Sequence, residues 1–113
     1  MSDPEAARAI AIRTLNDKFR QTLHGGSLLF TAGIMALEPD TQARILTQVQ
    51  AFDAFDEGND PWAEHDFGVL DIDGERVFFK IEYYDLIRAL HSEDPTDPTK
   101  TERVMTIMLA SEY

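Results

Sequence analysis

The sequence contains no cysteine, few basic residues and a single tryptophan among its 113 residues. The absence of cysteine excludes disulfide bonds, thiol nucleophiles and cysteine-ligated zinc or iron–sulfur centres. No apolar run approaches the roughly 18 residues of a membrane span, and the N-terminus lacks the basic and apolar segments of a signal peptide. Neither G-x-G-x-x-G nor G-x-x-x-x-G-K-[ST] occurs, so no cofactor is indicated. We therefore expect a cytoplasmic protein without a cofactor or a membrane partner.

One globular domain is expected over residues 1–113, because 43% of the residues are apolar and the chain is long enough for a single core. Helical periodicity predicts a first helix from Pro4 to about Leu23, capped by Asp3 and ended by the glycines that follow His24. A second helix is predicted from Pro39 to near Phe55.

Strands are predicted over residues 27–31, over both arms of residues 64–85, and over residues 101–113. The first and last of these strands are apolar on both faces, which favours interior positions in a sheet. The order α-β-α-β-β-β predicts an α+β fold, in which a mainly antiparallel four-stranded sheet carries two helices on one face.

Residues 64–85, EHDFGVLDIDGERVFFKIEYYD, predict a hairpin whose arms alternate around Asp73-Gly74. A two-residue turn gives a buried apolar face with the pairs Leu70–Val77, Gly68–Phe79 and Asp66–Ile81. The outer face then carries Asp71–Arg76, Val69–Phe78, Phe67–Lys80 and His65–Glu82, with Tyr84 continuing the row. A three-residue loop with a bulge at Gly74 would instead move the side chains of one strand to the other face.

Four ionisable side chains of this outer face are the candidates for catalysis: His65, Lys80, Glu82 and Tyr84. A histidine held by a carboxylate is suited to general acid–base chemistry, since the carboxylate fixes its tautomer. Ordinary cross-strand ion pairs on a solvated face explain the same pattern and are more common. The pattern therefore favours a binding protein over an enzyme.

Two loops carry enough carboxylates to be considered for a divalent cation, one with Asp60, Glu64, His65 and Asp66, the other with Glu93, Asp94 and Asp97. Neither spacing matches an EF-hand loop, and His65 lacks the partner of an H-E-x-x-H helix. We expect solvated carboxylates and no metal.

Negative charge is concentrated in one part of the chain, whose net charge is −11. Residues 53–97 hold 14 acidic and three basic residues, which accounts for the whole excess. Direct binding to nucleic acid or to an anionic membrane is unfavourable, whereas a basic protein is attracted. We expect the acids to gather along one side, although a merely solubilising surface explains them as well. The predicted interaction surface comprises Asp60, Trp62, Glu64, Asp66, Phe67, Phe78, Glu93, Asp94 and Asp97.

The stretches GNDPWAEHDFGVLDIDGERVFFKIEYYD and SEDPTDPTKTERVMTIMLASEY, with LND in the first helix, resemble the family called domain of unknown function 3768. The resemblance runs from Leu15 onward, and EHDFG, KIEYYD and TIMLASEY follow in the family's order. It implies a proteobacterial protein, often encoded on plasmids or other mobile elements, but no activity, cofactor or catalytic residue. That context implies interaction with host nucleic-acid machinery, for instance anti-restriction or anti-CRISPR inhibition.

Charge and resemblance together predict a small acidic protein-binding domain, which inhibits or modulates a nucleic-acid-handling machine by charge mimicry of nucleic acid. The alternative is a small hydrolytic or metal-assisted enzyme that uses His65 and Glu82. A structural subunit of an oligomer, including a homodimer, also remains open.

Overall fold

The computed structural model describes residues 3–113. Its elements are, in chain order, α1 (Pro4–Thr22), β1 (Gly26–Phe30), α2 (Ala32–Met35), α3 (Pro39–Ala51), β2 (Phe67–Ile72), β3 (Glu75–Tyr84), β4 (Glu102–Leu109) and a final 3-10 turn, Ala110–Glu112. The predicted α+β class is confirmed. The predicted element order is wrong, because the short helix α2 lies between β1 and α3.

The four strands form one sheet in the order β1-β4-β3-β2. β1 runs parallel to β4, whereas β3 is antiparallel to both β2 and β4. The sheet is therefore mixed rather than mainly antiparallel. β4 is central, as its apolar residues predict, but β1 lies at the edge, so its predicted interior position is wrong. Half-buried Leu28 and Phe30 pack against the core while Leu29 is 48% exposed.

The helix ends differ from the expectation in two places. At the start of α1, Asp3 Oδ1 accepts a hydrogen bond from the N–H of Glu5 at 3.0 Å, as predicted. At its end, Leu23 rather than a glycine takes the first left-handed conformation, with φ +62°. Helix α3 stops at Ala51, short of Phe55, because Phe52 is extended and its carbonyl accepts a hydrogen bond from Arg20 Nη2 at 3.2 Å.

The hairpin has the predicted register, including Leu70 opposite Val77 and Val69 opposite Phe78. Asp73 and Gly74 have φ of +52° and +81°, the paired left-handed conformations of a type I′ turn. The alternative bulged loop is therefore not formed.

The helices cover the sheet face that carries Val77, Phe79 and Ile81, all buried. Gly68 lies opposite Phe79, and a β-carbon at Gly68 would come within 2.2 Å of the phenyl ring. The main core cluster consists of Phe19, Ile34, Ile45, Val49, Leu70, Ile72, Val77, Phe79, Ile81, Met105 and Ile107. In residues 3–113, no helix is both long and apolar enough to cross a bilayer.

Candidate functional site

The four residues predicted for acid–base chemistry, His65, Lys80, Glu82 and Tyr84, lie in two separate parts of the structure. The β2–β3 ladder ends at Phe67–Lys80, followed by a single hydrogen bond from the N–H of Ile81 to the carbonyl of Asp66 at 2.8 Å. His65 has φ +56°, which turns the chain out of the ladder. The predicted pair of His65 with Glu82 is therefore not formed.

The other three members of that set remain together on the outer sheet face. Lys80 Nζ lies 3.3 Å from Glu82 Oε1, and the Tyr84 hydroxyl donates to Glu82 Oε2 at 2.9 Å. The bond to Glu82 raises the pKa of the Tyr84 hydroxyl, so this phenol stays protonated and is a poorer acid than a free tyrosine. These contacts are those of a partly solvated ion pair, and His65 is not available to it.

His65 instead joins the loop before β2 to helix α1. Its Nδ1 lies 2.8 Å from Asp17 Oδ1, and since a carboxylate accepts, Nδ1 carries the proton. Its Nε2 lies 3.7 Å from Asp60 Oδ2, and its ring stacks on Phe55 with centroids 3.9 Å apart. Asp60 is buried, and its Oδ1 accepts from the N–H groups of Glu64 and His65 at 3.0 and 3.1 Å.

A buried arginine completes this cluster. Arg20, with a side chain 2% exposed, donates from Nη1 to Asp17 Oδ1 at 3.0 Å, and its guanidinium lies 5.1 Å from the Phe55 ring centroid. Arg20 Nε has no hydrogen-bond partner among the described residues. The cluster borders a cavity of about 380 Å³, but His65 Nε2, the nitrogen that a general base would use, faces a second carboxylate. The contacts of His65 therefore suit a structural link between the loop before β2 and helix α1 better than a role as general base.

A second buried polar network lies beside it and was not predicted. Asn16 Nδ2 donates to the Tyr83 hydroxyl at 2.8 Å and to the Glu64 carbonyl at 2.9 Å, while Asn16 Oδ1 accepts from Arg103 Nε at 2.8 Å. The Tyr83 hydroxyl donates to Glu64 Oε1 at 2.8 Å, and burial raises the pKa of Tyr83. The available signal was that Asn16 shares the apolar stripe of α1 with Ile12 and Phe19.

The predicted interaction surface divides into an end groove and a sheet face. Trp62 is 74% exposed and lines a groove of about 340 Å³ together with Glu5, Arg8, Ala9 and Glu64. Arg8 Nη1 lies 3.9 Å from Asp94 Oδ1, so the Trp62 and Asp94 loops meet the same helix, α1. We call this region the Trp62 groove.

Phe67 and Phe78 lie apart from the Trp62 groove, on the outer sheet face. Their ring centroids are 5.2 Å apart, and Tyr113 packs edge-on against both. Lys80 Nζ lies 5.8 Å from the centroid of Tyr113. The chain end thus shields the aromatic pair that the hairpin was expected to present.

Several of the predicted surface acids have local structural roles. Asp94 and Asp97 accept hydrogen bonds from Thr96 and Thr99 in tight turns, which lowers the pKa of both carboxyl groups. Glu93 lies 3.6 Å from Lys100. Desolvation raises the pKa of Asp66 to about 6, with a further contribution from Glu64.

Ion pairing divides the 14 acids of residues 53–97 into two groups, while their gathering along one side stays a prediction. Six have a cationic or histidine nitrogen within 4.0 Å: Asp60, Asp71, Asp73, Glu82, Glu93 and Asp94. Within residues 3–113 the other eight have none: Asp53, Asp56, Glu57, Glu64, Asp66, Glu75, Asp85 and Asp97. In the described chain, no group of three or more His, Asp or Glu side chains is arranged to hold a metal ion.

The loop after β3 exposes aliphatic side chains in a stretch for which the sequence predicts neither helix nor strand. Leu86, Ile87 and Leu90 are 62%, 82% and 71% exposed. Arg88 fixes the loop to the sheet, donating to Glu102 Oε1 at 2.9 Å. Three large apolar residues in a six-residue stretch without helical or strand periodicity were the available signal.

A family model described as "Protein of unknown function (DUF3768)" matches residues 30–112. That match includes the hairpin, β4, the Trp62 loop and the Asp94 loop, while α1 lies outside it. No curated protein and no solved structure gave a significant match. The resemblance predicted from EHDFG, KIEYYD and TIMLASEY is confirmed, and the chain belongs to the DUF3768 family of proteins of unknown function.

Proposed function

We propose that this chain acts by binding a basic segment of a partner protein in the Trp62 groove. The observation that supports the proposal most directly is the position of the only tryptophan, which is 74% exposed in a groove that Glu5 and Glu64 also line. Tryptophan is the best aromatic surface for an arginine or lysine cation, and a neighbouring carboxylate strengthens the attraction. An indole that is exposed in this setting suits a contact with a partner protein better than a packing role at the edge of the core.

Charge supports the same class of partner. The net charge of −11 disfavours direct contact with nucleic acid and accelerates encounter with a basic surface. In its finer form, the proposal is that the protein inhibits or modulates a nucleic-acid-handling machine of the anti-restriction or anti-CRISPR type. The carboxylates would then occupy positions at which the machine otherwise binds phosphates.

The test is a titration with a labelled octa-arginine peptide, followed by fluorescence polarisation at several salt concentrations. We expect binding that weakens steeply with salt, and a Trp62→Ala variant that binds about tenfold more weakly through loss of the cation–π contact. Ile87→Ala is the matched control, because it also removes an exposed apolar side chain and belongs to a different loop. Equal binding by wild type and Trp62→Ala, or salt-insensitive binding, would contradict the proposal.

Catalysis by His65 together with Glu82 is not part of this proposal. The two residues belong to separate hydrogen-bonded sets, His65 with Asp17 and Glu82 with Lys80 and Tyr84. A candidate base must lie within hydrogen-bond reach of its partner, which these two side chains do not.

A further inference from the structure

A second cavity, at the C-terminal end of α1, has the opposite electrostatic character to the rest of the molecule. Its volume is about 230 Å³, and it is lined by Leu15, Lys18, His24, Gly25, Pro98 and Arg103. Three of these six residues are basic and none is acidic, in a chain of net charge −11. The lining therefore selects for negative charge.

Arg103 is the central feature of this cavity. It is 2% exposed, yet its hydrogen-bond acceptors are neutral: Nε donates to Asn16 Oδ1 at 2.8 Å and Nη2 donates to the Pro95 carbonyl. Its guanidinium also lies over the Tyr83 ring, 5.2 Å from the centroid. Within the described part of the chain, no carboxylate oxygen lies within 4.0 Å of Arg103. Burial lowers the pKa of Arg103, and the more distant carboxylate of Glu64 offsets this effect only in part.

The other deeply buried arginine shows what is absent at Arg103. Arg20 is equally buried, but it lies 3.0 Å from the carboxylate of Asp17. Buried cations in proteins are normally paired with an anion, because an unpaired charge in a low-dielectric interior is strongly unfavourable. Arg103 Nη1 takes part in neither of the side-chain bonds above, and Arg103 is one of the residues that line the cavity.

We infer that this cavity binds a small organic carboxylate. The carboxylate accepts hydrogen bonds from Arg103 Nη1 and is flanked by the ammonium group of Lys18 and the imidazole of His24, while a short apolar body packs against Leu15 and Pro98. The volume of about 230 Å³ lies below the roughly 300–1,000 Å³ of pockets for drug-sized ligands, so the body is short. An inorganic anion alone would leave the apolar walls uncovered.

Hexanoate tests this inference, with hexanamide as the uncharged match and inorganic phosphate as the anion without an apolar body. In two-dimensional amide NMR of the full chain, hexanoate is expected to shift the Gly25 signal saturably, and the other two compounds are expected to shift it far less. Lys18→Ala and His24→Ala, both at exposed rim positions, should each weaken hexanoate binding by about twofold to fivefold, the range of partly exposed charge pairs. Arg76→Ala is the control, since it removes a cation at the distant hairpin turn.

The inference would be overturned by no saturable shift with hexanoate, by equal shifts with hexanamide, or by rim variants that bind hexanoate as the wild type does. Phosphate binding as tight as hexanoate binding would likewise exclude the apolar contribution. Because Arg103→Met removes a buried side chain and risks misfolding, the test uses the variants at the exposed rim positions instead. Octa-arginine binding at the Trp62 groove is measured separately, so failure of one proposal leaves the other intact.

Discussion

The partly buried carboxyl group of Asp66 should make the protein less stable as the pH rises through the weakly acidic range. Burial raises the pKa of Asp66 from 3.8 to about 6, and the nearby carboxylate of Glu64 adds to the effect. Between these two values the folded protein binds a proton that the unfolded chain has released. The free energy of unfolding therefore falls from about pH 4 to about pH 6 and is then constant with respect to this group.

The size of this effect follows from the difference between the pKa values of Asp66 in the unfolded and folded protein. A change from 3.8 to about 6 corresponds to at most about 3 kcal/mol. Since Asp66 is only partly buried and solvent screens its charge, we expect about 1–2 kcal/mol. Asp66→Asn keeps the shape and removes the charge, so it should be more stable than the wild type by that amount at pH 8 and similar to it at pH 4.

Urea unfolding of both proteins at pH 4, 5, 6, 7 and 8, followed by circular dichroism, measures the difference directly. Asp71→Asn is a control of opposite sign, because hydrogen bonds from Arg76 lower the pKa of Asp71. It should be destabilising near pH 7, and its effect should vanish as the pH falls. A difference between wild type and Asp66→Asn that is constant with pH would refute the argument.

Two further substitutions test the packing on which both sites rest. Asn16→Ala removes three hydrogen bonds of a buried network and should lower the free energy of unfolding by about 3–5 kcal/mol, as measured by urea titration. The control Thr14→Ala, on the exposed side of α1, should change the free energy of unfolding by less than about 1 kcal/mol. Gly68→Ala places a β-carbon 2.2 Å from the Phe79 ring and should lower the thermal midpoint by an amount equivalent to about 1–3 kcal/mol, whereas Gly58→Ala, 3.2 Å from a flexible carboxylate, should be mild.

The hairpin was predictable because the information that specifies it is local. Asp73-Gly74 selects a two-residue turn, and the alternation on either side then fixes every pair from Ile72–Glu75 to Phe67–Lys80. The prediction failed two pairs later, at His65–Glu82, beyond the hydrogen bond from the N–H of Ile81 to the carbonyl of Asp66. At His65 the left-handed φ accompanies a tertiary contact with Asp17, which lies 48 residues earlier in the chain and gives no local signal.

The parallel pairing of β1 with β4 was not predictable for a similar reason. Gly26 pairs with Arg103 and Phe30 with Ile107, across more than 70 residues, and no short-range signal distinguishes a parallel edge strand from an interior one. The three apolar residues of Ser27–Thr31 indicated burial on both faces. In the fold, only one face of β1 packs against the core. The other face carries Leu29, which is 48% exposed, and the loop whose Arg88 donates to Glu102 lies over that face.

The exposed Trp62 and the partly buried His65 belong to one hydrogen-bonded turn, which bears on the proposed binding at the Trp62 groove. Asp60 accepts a backbone hydrogen bond at its carbonyl from Ala63 at 3.1 Å and at its side chain from His65 at 3.1 Å. Two of the three residues that follow Trp62 in that turn, Ala63 and His65, have a left-handed φ of +56°, and His65 Nδ1 lies 2.8 Å from Asp17 Oδ1. These hydrogen bonds constrain the backbone beneath the indole, and a constrained anchor loses less conformational entropy in the binding that we propose. Loss of the His65 side chain should thus weaken partner binding at the Trp62 groove without any direct contact between His65 and the partner.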